Sequence, residues 1–508
     1  MNYLRSEKTS LLCLSPELVT AIAEEMQVAD IKQLRLTCST IADYLVPLVF
    51  RTIKLTVYGN KCQWGVERIE ALASGTHPAC HASRALIIGP LCPGKPLDRS
   101  YLFTFGYKTQ TISNHASESN VNEPLEIAIA REKVASHLFN AITSCRGVRA
   151  VKWTPNAGDE QIMHQITMNS LKNLPSLRRL HIRFQDFDVP LEIDSLRSLT
   201  ELIISIKKCS SERLNTILDN VAKAVGQNPA LVSIELDVRE QESRDQEVVP
   251  LQHFKRFLKY YSTANEPMRL RHLKLTSFNL LLDQISISHL RHLTSLNLRN
   301  IKCKNGVWEP FIEAGICLTE ISVDWASQSF CNYLASYTGL KKLSLMAYNF
   351  STVEDSDTMA ILFYEIGLDN HAQSLEDVKI VPMSEGLWCF GSHNYKSIAQ
   401  LTNLRHLEMN VLSYDVRNNG ETQANGTQKI TENNAVKHIV DLAVLCMASI
   451  ETICLDYSPP PRGTGRMCGT GVFRQHRFVL KQLVMQAFIM ERRRNDKLNV
   501  GIRRDNSE

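Results

Sequence analysis

One spacing of apolar and polar positions recurs along most of this chain: apolar-x-x-apolar-x-apolar, usually with leucine first. Leu177-Leu180-Ile182, Leu199-Leu202-Ile204, Leu231-Ile234-Leu236, Leu270-Leu273-Leu275 and Leu293-Leu296-Leu298 carry it. Leu318-Ile321-Val323, Leu340-Leu343-Leu345, Leu375-Val378-Ile380, Leu404-Leu407-Met409 and Ile450-Ile453-Leu455 continue it. Weaker copies lie at Phe50-Ile53-Leu55, Leu86-Ile88 and Val148-Val151-Trp153. Side chains of a strand alternate between faces, so the closing apolar pair turns to a core and the residues between turn to solvent. Each copy predicts a short strand buried on one face. Helical periodicity takes over between some copies: Leu214, Ile217, Leu218, Val221 and Val225 share one helix face. The stretches from Thr358 to Leu368 and from Asn434 to Met447 have the same character.

The first fifty residues follow a different pattern. Ser15 is a good N-cap, Pro16 suits the first helical position, and Glu17 meets the positive end of the helix dipole. Leu18, Ile22 and Met26 form one apolar stripe. Asp30 is the next N-cap, followed by Ile31, Leu34, Cys38 and Ile41 on one face. Pro47 limits a third piece that holds Tyr44, Leu45 and Leu48. Three helices this short bury little surface alone, so they need a partner or the following domain. The plainer of those two readings is a cap on the repeats.

Several steps between strand copies, such as Leu177 to Leu199 and Leu318 to Leu340, fall within the roughly 20–29 residues of leucine-rich repeats. The longer steps require helical insertions. The Asn or Cys that usually follows the strand is mostly missing, with Asn300 closest to it. The expected fold is therefore α/β: a three-helix unit over 10–50, then an irregular leucine-rich-repeat solenoid over 51–490, a curved parallel sheet with outer helices. Continuous apolar strands would instead mark an ordinary parallel α/β domain, whereas these alternate. Loops are expected near 89–124, 415–432 and 458–471, and a disordered basic tail over 491–508.

The run Leu14-Ser15-Pro16-Glu17-Leu18, the Asp30-Ile31 step and Thr37-Cys38 resemble an F-box. The sequel Pro47-Leu48-Val49-Phe50-Arg51-Thr52-Ile53 is similar to the exit of fungal F-box proteins. Ser15 stands where the family usually has proline, and no Trp follows Cys38. The resemblance implies docking on the Skp-type adaptor of a cullin–RING ubiquitin ligase, with the cullin as scaffold and a protein substrate on the repeats. Adaptor contacts would then fall on Leu14, Pro16, Leu18, Ile22, Ile31, Leu34 and Cys38. Apolar anchors three and four residues apart are what a helix-in-groove contact needs.

Composition narrows the partners. The chain has 508 residues and a net charge of +4, too weak a bias for a nucleic-acid groove. No apolar run is long enough for a secretory leader or a membrane span, which points to the cytoplasm or nucleus. The 14 cysteines form no paired framework and read as reduced, buried thiols. His77, Cys80, His81 and Cys92 fit no closed zinc spacing. Gly463, Gly465, Gly469 and Gly471 miss the dinucleotide fingerprint because Cys468 holds its third place. No nucleophile or paired-carboxylate constellation stands out, so neither cofactor, metal nor catalysis is expected.

Between the leucines lie the positions that would face a partner. Arg179, His181 and Arg183 come first, then Glu201, Glu235 and Asp237. Arg299, Glu320 and Asp324 follow, with Lys342, Lys379 and Glu408 beyond. A nucleic-acid groove would be uniformly basic, whereas mixed charge suits a protein partner.

Overall fold

The N-terminal helices form because their sequence caps and buries them. In the computed structural model, α1 spans Pro16–Glu24, and the Ser15 hydroxyl accepts from the Leu18 N–H at 3.4 Å. Helix α2 spans Val28–Arg35 and starts from Gln27, so Asp30 lies in its first turn rather than at its N-cap. Helix α3 spans Ser39–Val49 and runs through Pro47, which sits in the last turn, where the lost N–H costs one bond only. Val19, Ala23, Ile31, Ile41 and Leu45 fill the core of this unit.

The described residues are 11–59, 62–95, 124–185, 192–207, 211–239, 252–261, 267–280, 282–301, 306–346, 350, 352–412, 420–422, 428–430, 434–458, 478–486, 489 and 499–502. They divide into two units: Met1–Val249 with Arg256–Ser262, and Pro250–Lys255 with Thr263–Glu508.

In the first unit, six parallel strands follow one another in chain order. They are β1 Thr52–Gly59, β2 Ala85–Pro93, β3 Ala150–Trp153, β4 Arg179–Gln185, β5 Glu201–Lys207 and β6 Ser233–Arg239. The three weak repeat copies are thus full strands. The apolar positions stack in register: Ile53, Leu86, Val151, Leu180, Leu202 and Ile234 form one buried row. Helices α4 Gln63–Ala73 and α6 Leu125–Thr143 pack against the strands, while the shorter α5 Pro78–Ala82 meets α3. The expected helix around Glu212 to Val225 is α8 Ser211–Gln227, after α7 Gln161–Lys172.

The second unit repeats the plan with eight parallel strands. These are β7 His272–Thr276, β8 Ser295–Arg299, β9 Glu320–Val323, β10 Lys342–Leu345, β11 Asp377–Ile380, β12 His406–Val411, β13 Thr452–Tyr457 and β14 Asn499–Ile502. Leu273, Leu296, Ile321, Leu343, Val378, Leu407 and Ile453 form its buried row. An α/β fold with long parallel sheets fits leucine-rich repeats.

Three boundaries differ from expectation. Strand β2 runs to Pro93, because Leu91 and Cys92 are buried and continue the pairing to β1; most of the loop read at 89–124 lies outside the described residues. Within 415–432, Gly420–Thr422 pairs antiparallel with Gln428–Ile430. Strand β14 falls inside the segment read as a disordered tail, where Asn499–Ile502 pair with Thr452–Leu455. The loop expected at 458–471 lies outside the described residues after Ser458.

Candidate binding surfaces

The helical unit turns two kinds of apolar residue in opposite directions. Val19 and Ala23 face the core, whereas Leu18 and Ile22 are 54% and 46% exposed. The Leu18-Ile22 stripe therefore faces away from the unit's own core. Pro16 is exposed too, and Leu14, Leu34 and Cys38 are partly buried against the bundle core. Ile31 departs from the expected contact set: it is 7% exposed and belongs to the bundle core, so it holds the helices together. The end of α3 is anchored by Phe50, whose ring carries Arg35 at 4.9 Å and meets His77 edge-on at 5.3 Å.

On the sheets, the positions between the leucines are mostly half-exposed and in register. Arg179 pairs with Glu201 across β4 and β5. In the second unit Glu320 pairs with Lys342 at 2.9 Å, and Lys379 with Glu408 at 2.8 Å. The Lys342 ammonium holds the Glu320 carboxyl below its ordinary range. His181, Arg183 and Glu235 are half-buried and Arg299 is exposed. Two acids belong elsewhere. Asp237 is buried at 6% exposure, and Asp324 at 9%. The Asp324 carboxylate accepts the N–H of Asn300, a residue with φ of 51°, so it secures a left-handed turn instead of facing a partner.

Sequence reasoning missed the buried polar groups that replace the absent Asn ladder. Asn228 accepts from the Leu199 N–H at 2.8 Å and donates to the carbonyls of Leu196 at 3.0 Å and Ala224 at 2.8 Å. Tyr333 accepts from the Leu318 N–H at 3.1 Å and donates to the Ile316 carbonyl at 2.8 Å. His371 Nδ1 accepts from the Leu340 N–H at 3.3 Å. Each lies beyond a strand and satisfies backbone just ahead of it, in the loop that would otherwise be left buried and unpaired.

Burial also decides the titratable groups. Desolvation pushes Asp159 up to about 6, against hydrogen bonds from the Leu91 and Asn156 N–H groups. Desolvation, with Asp159 beside it, pushes the Cys92 thiol up to about 12, which leaves it unreactive. Of the zinc candidates, His77 caps α5 through the Ala79 N–H at 3.2 Å, and Cys80 reaches the Leu72 carbonyl at 3.5 Å. No three His, Cys, Asp or Glu side chains converge as metal ligands among the described residues. No described helix is long and apolar enough to cross a membrane. A polar hollow of about 820 Å³ lies at the start of β11 to β13, lined by Lys341, Ser374, Glu376, Asn403, Arg405 and Glu451. Its charges are consumed in pairs, Lys341 with Glu376 at 3.1 Å and Arg405 with Glu451.

No protein-family model matches the chain, and no curated protein matches it. Among solved structures, the chain is similar to the TLR13–ssRNA13 complex at 14% identity and a TM-score of 0.25. That match covers 71% of this chain and 52% of the other, so the chain spans about half its length.

Proposed function

We propose that this chain is a non-catalytic protein-binding scaffold whose sheets present fixed rows of polar side chains to a protein partner. The observation that carries this is register: residues between the buried leucines repeat at the strand spacing of about 4.8 Å and are held by the ladder itself. Side chains on such a frame need little ordering on binding. Their mixed charge serves specificity more than affinity. The test is proximity labelling with the full chain and with an Arg183→Glu, Arg299→Glu variant. The variant should lose a defined set of labelled proteins while keeping its circular dichroism. An unchanged set would remove the sheet face from the reading.

A finer reading is favoured by the outward turn of Leu18 and Ile22. Exposed apolar side chains one helical turn apart are anchors for a groove on another protein. In this reading the chain is the substrate-recognition subunit of an SCF-type cullin–RING ubiquitin ligase, acting in the cytoplasm or nucleus. The helical unit holds a Skp-type adaptor, the cullin is the scaffold, and the sheets hold a substrate so that proximity drives modification. Purified Skp-type adaptor should co-elute with the full chain, and Leu18→Asp with Ile22→Asp should abolish that without unfolding. If wild-type protein fails to co-elute, the helices are a cap and the scaffold reading stands alone.

A further inference from the structure

We propose that the strand starts of the first unit form a binding strip for an aspartate- and glutamate-rich segment of a partner protein. Four consecutive repeats place arginine immediately before the strand: Arg51, Arg84, Arg149 and Arg178. The backbone fixes their spacing. The Arg51 carbonyl accepts from the N–H groups of Arg84 at 2.9 Å and Ala85 at 3.0 Å. The Arg84 carbonyl accepts from Arg149 at 2.8 Å and Ala150 at 3.1 Å, and the Arg149 carbonyl from Arg178 and Arg179 at 2.9 Å each. The four arginines thus stand on adjacent rungs about 4.8 Å apart. All four are exposed, and among the described residues none has a carboxylate within ion-pair distance.

The second unit shows what this position holds when its charges serve the fold. There the same row runs Arg271, Thr294, Thr319, Lys341, Glu376, Arg405, Glu451, and its last four members neutralise one another in pairs. Like charges on adjacent rungs are unfavourable for a sheet. The first unit keeps four of them together, and an anionic ligand relieves that repulsion. A linear row of single charges matches a run of carboxylates, one per guanidinium fork. One phosphate would need several forks converging on a point, which parallel rungs do not provide. A single-stranded nucleic acid would need rings for stacking. Beside the arginines, in register, stand Thr52, Ala85 and Ala150, small residues that leave room for a peptide backbone. Arg179, engaged by Glu201, and the uncharged Thr200 close the strip.

This rests on the scaffold reading and names the chemistry of its partner. The test is fluorescence anisotropy of a labelled octaglutamate with the full chain at low salt. Octaglutamine, a peptide with a single phosphoserine, and oligothymidine of equal length complete the set. Octaglutamate should bind, and Arg84→Gln with Arg149→Gln should weaken it about ten-fold. Arg271→Gln with Arg291→Gln, which removes the same charge from exposed sites of the second unit, should change it less than two-fold. Equal weakening by both pairs, tighter binding of the phosphoserine peptide or oligothymidine, or no octaglutamate binding overturns the proposal. A failed strip alongside labelled proteins that the Arg183→Glu, Arg299→Glu variant loses leaves the scaffold reading in place.

Discussion

His371 sets the acid tolerance of its repeat through one nitrogen. Burial pushes its pKa down to about 4, because the ring is desolvated, and its Nδ1 must stay unprotonated to accept the Leu340 N–H. The unfolded imidazole takes its proton near 6.5, so between about pH 6.5 and 4 the unfolded state binds more protons. Stability from this group is therefore complete above that window and lost as pH falls through it, by up to about 3 kcal/mol. Asp159 acts with the opposite sign: its folded pKa is raised to about 6, so its contribution declines as pH rises from about 4 to 6. Urea unfolding of His371→Asn at about pH 7 and about pH 5 should show a smaller loss on acidification than wild type. An undiminished loss would place the acid sensitivity elsewhere. Neither group was legible in the sequence. His371 meets a backbone group 31 positions earlier, and Asp159 meets one 68 positions earlier, so no local motif marks them.

At the level of elements, strands were legible and their polar supports were not. The leucine spacing located strands even at Phe50-Ile53-Leu55, because two-residue alternation depends only on which face is buried. The inward face of α1 was harder to read. Leu18 and Ile22 stood out as one apolar stripe offered to a partner, whereas Val19 and Ala23, which fill the bundle core because a small residue lets α1 approach α3 closely, did not. A short amphipathic helix with two apolar sides does not declare which one the fold uses. Strand β14 was missed because Arg-rich polar sequence around it carries no period. The supports carry their own prediction. Asn228→Ala deletes three buried hydrogen bonds and should cost about 2–4 kcal/mol in chemical unfolding. Asn173→Ala, an exposed site with a bond to its own helix, should cost less than about 0.5 kcal/mol. Equal costs would deny Asn228 its tying role.

Across the molecule, the charge pattern changes meaning once every strand is included. Counting from Arg179 gives alternating signs; β1 to β3 extend the series backwards with the arginine row and without an acid at the inter-leucine positions. The candidate surface was thus half legible: polar rows were foreseen, but their separate character in each unit depends on where the first strands fall. Stability should also be distributed along the array, since each repeat bonds chiefly to its neighbours. Leu343→Ala, at a fully packed site in β10, should cost about 2–5 kcal/mol. Deuterium exchange should rise most in β9, β10 and β11 and least in β13. A uniform rise would mean the unit opens all at once. The turn ahead of each strand has a last consequence, for synthesis. Its carbonyl receives two N–H groups from the repeat that follows, at Arg51, Arg84, Arg149, Arg178 and Thr200 alike. While these repeats are being made, a nascent chain leaving the ribosome therefore displays a docking edge that lacks only the donors the next repeat delivers. Growth is vectorial, each coil templated by its predecessor, and translation can run at the pace of accretion.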